Sequence, residues 1–150
     1  MRKLLFLVSA MGLFLAFNAC SKSANSTTNA KTSDNISGSY KITAISVTAN
    51  GLTVDEYANL KDCEKDNLII LNKDLTLIYT DAGIVCVPSE SSTGTWSLSA
   101  NSDSLKIYGI PNFPTGVSGY IKSWDGKSLV LSTSQTISGF PAVVTTTMVK

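Results

Sequence analysis

The chain of 150 residues carries twelve basic and eleven acidic side chains, a formal charge of +1, and no histidine. Such a balance lacks the basic stripe that marks a nucleic-acid footprint or an anionic-membrane patch. Without imidazole, the commonest general base and metal ligand is missing, so no constellation of residues identifies a catalytic centre or a cofactor site.

The first element in chain order is a targeting segment. Arg2 and Lys3 precede an apolar run over residues 4–17 that is broken by Ser9 and Gly12. A basic start followed by a short apolar stretch is the pattern of an export signal. Its 14 residues fall short of the roughly 20 that a membrane-spanning helix needs. Phe17-Asn18-Ala19-Cys20 then resembles the lipobox of bacterial lipoproteins, with Phe17 and Asn18 looser than the usual leucine and small residue. The expectation is a signal peptide over residues 1–19 and a mature protein that begins at Cys20, lipidated there with palmitate-type chains. At about 0.8 kcal/mol per buried methylene, two or three such chains anchor a protein to a membrane.

Residues 20–37 hold almost no large apolar side chain besides Ile36, so they are expected to form a flexible tether. Its reach is about 55 Å at roughly 3.3 Å per residue. Loss of Arg2 and Lys3 with the signal leaves ten basic residues against eleven acidic. Residues 38–150 suffice for one domain with one core.

Eight short apolar or β-branched runs separated by turn signals follow, over residues 39–49, 67–72, 75–80, 95–99, 104–110, 119–124, 128–133 and 142–149. In the first, Tyr40, Ile42 and Ala44 share one parity before Ile45 and Val47 take the other, which indicates a bulge or a strand buried on both sides. Trp96, Leu98, Leu105 and Ile107 alternate with Thr95, Ser97, Ser104 and Lys106, the period of two that a half-buried antiparallel strand requires. Asp125-Gly126 is the strongest hairpin signal, read as a type I′ turn. Residues 54–61 are the helical candidate, with Asp55 and Glu56 at the positive end of its dipole. Eight up-and-down strands in this length predict an all-β fold, a small closed antiparallel barrel with one short helix, because closure removes exposed edges. A barrel of eight strands either fills with its own side chains or holds one small ligand. In the second case Tyr40, Trp96, Leu98, Leu105 and Ile107 are the expected lining.

Cys63 and Cys86 remain once Cys20 is assigned to lipid, and an even pair in an exported domain is expected to form a disulfide. Asp62, Glu64 and Asp66 alternate like the start of a calcium loop. Asn67 replaces the glycine and Lys73 the final glutamate, so a solvated acidic corner is expected and no metal site.

The residues also resemble a known family, the lipocalin-like lipoprotein domains of Bacteroidota. The resemblance runs over residues 38–150. It is carried by Gly38-Ser39-Tyr40-Lys41-Ile42, by Cys63-Glu64-Lys65-Asp66-Asn67, by Tyr79-Thr80-Asp81 with Cys86, and by Pro88-Ser89-Glu90 leading to Gly94-Thr95-Trp96-Ser97-Leu98. Tyr40 stands where lipocalins usually place tryptophan, and Leu75 follows Asp74 where relatives commonly have glycine. The resemblance implies an eight-stranded barrel with an interior site for a small apolar ligand. Ser21 and Lys22 after Cys20 lack the acidic cluster of a surface-export signal, so the expected location is the cell envelope, at the outer membrane facing the periplasm. Two functional classes stay open: a membrane-anchored ligand-binding module, or a non-catalytic envelope interaction or scaffold protein with a filled barrel. The expected partners are a membrane, through Cys20, and a small apolar molecule; no nucleic acid, no cofactor and no enzymatic activity are expected.

Overall fold

A computed structural model describes residues 30–111, 113 and 115–150. The export signal and Cys20 lie outside the described residues. In chain order the elements are α1 (Ser33–Ile36), β1 (Gly38–Ala49), β2 (Leu52–Asp55), α2 (Asp62–Lys65), β3 (Leu68–Leu71), β4 (Thr76–Thr80), β5 (Ser92–Leu98), β6 (Ser104–Tyr108), β7 (Val117–Trp124), β8 (Ser128–Ile137) and β9 (Phe140–Val149). All strands pair antiparallel with their neighbours, and β9 returns to pair with β1 from Lys41–Val149 to Ala49–Ala142. The sheet therefore closes into a barrel of eight strands, as the alternation predicts, with β2 as a ninth strand folded back on β1 beyond the end of β3.

The change of parity in the first strand is a β-bulge. Ile42 faces Met148 and Ala44 faces Thr147, leaving Thr43 as the extra residue. The bulge brings Ile45 into the same inward phase as Ile42, so a strand long enough to bend around the barrel keeps apolar side chains inside along its length. A second bulge at Lys122 turns Trp124 inward opposite Leu129.

The barrel has two unlike poles. At the closed pole α1 lies beneath the strands. Its Thr32 cap accepts a hydrogen bond from the Asn35 backbone N–H at 3.2 Å, and Ile36 is fully buried. The Tyr40 hydroxyl donates to the Ile36 carbonyl. Lys150 Nζ donates to the Asn35 carbonyl at 2.6 Å and lies 4.8 Å from the Trp124 ring. Residues 33–37, expected in the tether, are thus part of the fold: Ile36, the lone large apolar residue of that stretch, drives the segment onto the barrel end.

Other differences from the sequence reading lie at the open pole and in the β7–β8 turn at the closed one. The expected helix over residues 54–61 does not form. Asn50-Gly51, both at positive φ (51° and 79°), instead make a tight turn that folds Leu52–Asp55 back onto β1. The helix that does form is the single turn α2, a few residues later. Ser138-Gly139 make a second turn of this kind (φ 51° and 83°), which extends β8 and β9 beyond their expected limits. At Asp125-Gly126 the positive φ falls on Gly126 alone, and Asp125 Oδ1 accepts from the backbone N–H groups of Lys127 and Ser128.

Candidate functional site: an apolar chamber at the open pole

Alternation along every strand sends one side-chain set inward, and the size of those side chains divides the interior into two halves. In the closed half Tyr40, Leu71, Leu77, Trp96, Leu105 and Ile121 are at most 1 % exposed and fill the barrel. Trp96 Nε1 donates to the Asn72 carbonyl at 2.9 Å, so its one polar atom is satisfied in the core. Burial pushes the Tyr40 hydroxyl pKa up.

In the open half the inward residues are smaller or wider apart. A chamber of about 210 Å³ opens there, with Ile42, Ile69, Ile107, Leu131, Val144 and Met148 among its walls. Thr133, Gln135 and Thr146 add polar groups on the β8–β9 side. Among the described residues, none of these three side chains has a hydrogen-bond partner. A vestibule of about 170 Å³ adjoins the chamber and shares Ile42, Ile45, Ile69, Ile110 and Phe113 with it. It adds Leu60, Tyr79, Pro111 and two carboxylates, Glu64 and Glu90.

Of the five residues expected to line a ligand wall, Ile107 faces the chamber. Tyr40, Trp96 and Leu105 belong to the filled half, and Leu98 is partly buried against the same core. Inward alternation is thus a correct guide to facing and a poor guide to depth: the same parity serves both halves. The residues that reading omitted, Gln135, Val144 and Thr146, sit where β8 and β9 run on toward the Ser138-Gly139 turn. That turn was the available signal.

One rim of the open pole is built by the segment between β4 and β5. The disulfide Cys63–Cys86 ties it to α2 (S–S 2.01 Å). Asp66 Oδ2 accepts from the Ile84 N–H at 2.8 Å and Asn67 Oδ1 from the Ala82 N–H at 3.1 Å. Asp81 takes the N–H groups of Cys86 and Glu90, at 3.1 and 3.2 Å. Hydrogen bonds from the Cys86 and Glu90 N–H groups, Cys86 first, hold the Asp81 pKa below the usual carboxylate value. The acidic corner thus caps backbone donors. Among the described residues no group of three His, Cys, Asp or Glu side chains is placed to hold a metal ion. Tyr79, which accepts from the Asn67 amide at 2.9 Å, has its pKa raised by burial and further by the charges of Glu90, Glu64 and Asp81.

A closed antiparallel barrel of eight strands, sealed at one pole and hollow at the other, defines a β-barrel protein with an interior chamber. A family model described as a lipocalin-like domain matches residues 36–135, two thirds of the chain, and the chain belongs to that family. No curated protein and no solved structure gives a significant match.

Proposed function

We propose that this protein is a non-catalytic lipoprotein of the bacterial envelope, of the Bacteroidota lipocalin-like kind, that binds a small apolar molecule in its barrel. The observation that carries the reading is the chamber: about 210 Å³, walled mainly by aliphatic side chains, with three unpartnered polar groups along one side. Ligand sites combine an apolar lining with a few placed polar groups in this way. The volume lies below the roughly 300–1,000 Å³ of drug-sized sites, which favours a short or compact ligand reaching into the vestibule. Cys20 carries the anchor in this reading, and the barrel faces the periplasm from the outer membrane.

The test is extraction and mass analysis of whatever co-purifies with the native protein, alongside a titration with an uncharged, environment-sensitive apolar fluorescent probe. A defined apolar species at near-stoichiometric level, or saturable binding of the probe, supports the proposal. An empty barrel with no saturable apolar binding retires it. The second reading, an envelope interaction protein, is favoured by the apolar residues at the open-pole rim, where Val87 is 97 % exposed and Phe140 57 %.

A further inference from the structure

We propose that the vestibule selects the charge of the ligand, so that the chamber takes an apolar molecule with a cationic or neutral head and disfavours a carboxylate such as a fatty acid. The inference rests on the ligand-binding reading above and names its ligand class. It starts from the sign of the groups that line the way in. Glu64 from α2 and Glu90 before β5 both line the vestibule, and among the described residues no lysine or arginine lines either compartment.

Glu90 is half-buried and, among the described residues, has no salt-bridge partner. The Glu64 side chain is 24 % exposed. One oxygen accepts from the Lys61 N–H at 2.8 Å, while the Lys61 ammonium stands 3.9 Å from the other, 76 % exposed on the solvent side. An ion pair so open to water offsets little of the carboxylate's field. The negative field reaches inward as well: the charges of Glu90 and Glu64 act on the Tyr79 hydroxyl, which lines the same compartment.

A short aliphatic chain fills the chamber against Ile42, Ile69, Ile107 and Met148. Its head group is then left at the vestibule, beside two carboxylates in partly desolvated surroundings where Coulomb interactions exceed their strength in bulk water. An ammonium gains there, an alcohol is indifferent, and a carboxylate is repelled.

The test compares octylamine, octanol and octanoate, three probes of equal chain length, by calorimetric titration of the purified full chain at low ionic strength. The expected result is octylamine tighter than octanoate by at least about tenfold, the factor that 1.4 kcal/mol represents, with octanol between them. Glu90→Gln alone narrows that gap, and Glu64→Gln with Glu90→Gln narrows it further, while octanol affinity stays unchanged. That constancy shows that the variants remain folded. Added salt narrows the gap as well. Octanoate binding as tightly as octylamine, or a gap that survives both substitutions, overturns the charge selection while leaving the chamber a binding site. Failure of all three probes, octanol included, overturns the ligand-binding reading itself and the selection with it.

Discussion

Leu75 occupies a place for which its side chain is ill suited. It follows Asp74 in the turn between β3 and β4 at φ 68°, a left-handed conformation that favours glycine, and is 41 % exposed. The left-handed region costs a residue with a Cβ about 1–2 kcal/mol relative to glycine. Asp74 holds the turn by accepting from the Thr76 N–H and hydroxyl at 3.0 and 2.6 Å. Leu75→Gly is therefore expected to raise stability by about 1 kcal/mol, measured by urea denaturation. The reverse constraint holds at Gly94, where an added Cβ would come within 1.8 Å of the Tyr108 carbonyl oxygen; this is why the Gly94-Thr95-Trp96 run needs its glycine.

Depth within the barrel separates two residues that the sequence presents as equals. Leu105 and Ile107 are both inward on β6 and both almost fully buried. Ile107 borders the chamber and Leu105 does not. Each substitution to alanine is expected to cost about 2–5 kcal/mol. Ile107→Ala should also enlarge the chamber and change affinity for an apolar probe, whereas Leu105→Ala should leave affinity alone once stability is allowed for. Parallel denaturation and binding titrations distinguish them. The hydrophobic period encodes which face a residue takes but carries no coordinate along the barrel axis, so this difference was not legible in the sequence.

Among the elements, the eight barrel strands were legible because each alternates or carries a dense apolar run between turn residues. The β1 bulge was legible because it shifts that alternation. The short strand β2 was not, because Val54 and the polar residues after it read as a helix over residues 54–61; the Asn50-Gly51 turn decides otherwise. The segment between β4 and β5 has little regular structure and is held by cross-links. Closing the loop of 23 positions between Cys63 and Cys86 is worth about 3 kcal/mol in the chain-entropy model. Reduction is expected to lower Tm by about ten degrees or more, at roughly 4–8 °C per kcal/mol for a domain near this size. Differential scanning calorimetry with and without reductant measures the loss, and an unchanged Tm would contradict it.

Asp81 gives the same segment a dependence on acid. Its folded pKa is depressed by hydrogen bonds from the Cys86 and Glu90 N–H groups. Its contribution is therefore complete above the unfolded value of about 3.9 and is lost as pH falls through the lower folded value. Stability should hold through neutrality, since no histidine titrates there, and decline below about pH 4. Asp81→Asn should lower the plateau and shallow that acid limb, as a pH series of denaturation midpoints would show.

For the molecule as a whole, the poles differ in charge as well as in filling. Asp55, Glu56, Asp62, Glu64, Asp66, Asp81 and Glu90 stand toward the open pole with Lys61 and Lys65, an excess of negative charge, whereas at the closed pole Lys31, Lys73, Lys127 and Lys150 are balanced by Asp34, Asp74, Asp103 and Asp125. The described chain enters the barrel at that closed pole, through α1. A lipid at Cys20 would thus suspend the barrel with its chamber turned away from the anchoring membrane. Cys20→Ser should abolish labelling by a palmitate analogue and move the protein to the soluble fraction; a variant that stays labelled and membrane-bound would refute the anchor.

The pairing of β1 with β9 also governs when the chamber comes into being. Lys41 and Val149, partners across that seam, lie 108 positions apart in the chain. Contacts of such long range make folding slow, on the scale of milliseconds to seconds, because loop closure must precede the pairing that rewards it. Val144, Thr146 and Met148 of the chamber wall come from β9 itself. A chain that has formed every hairpin from β3 to β8 still encloses nothing, and a ligand meets its binding site only after the last strand has docked.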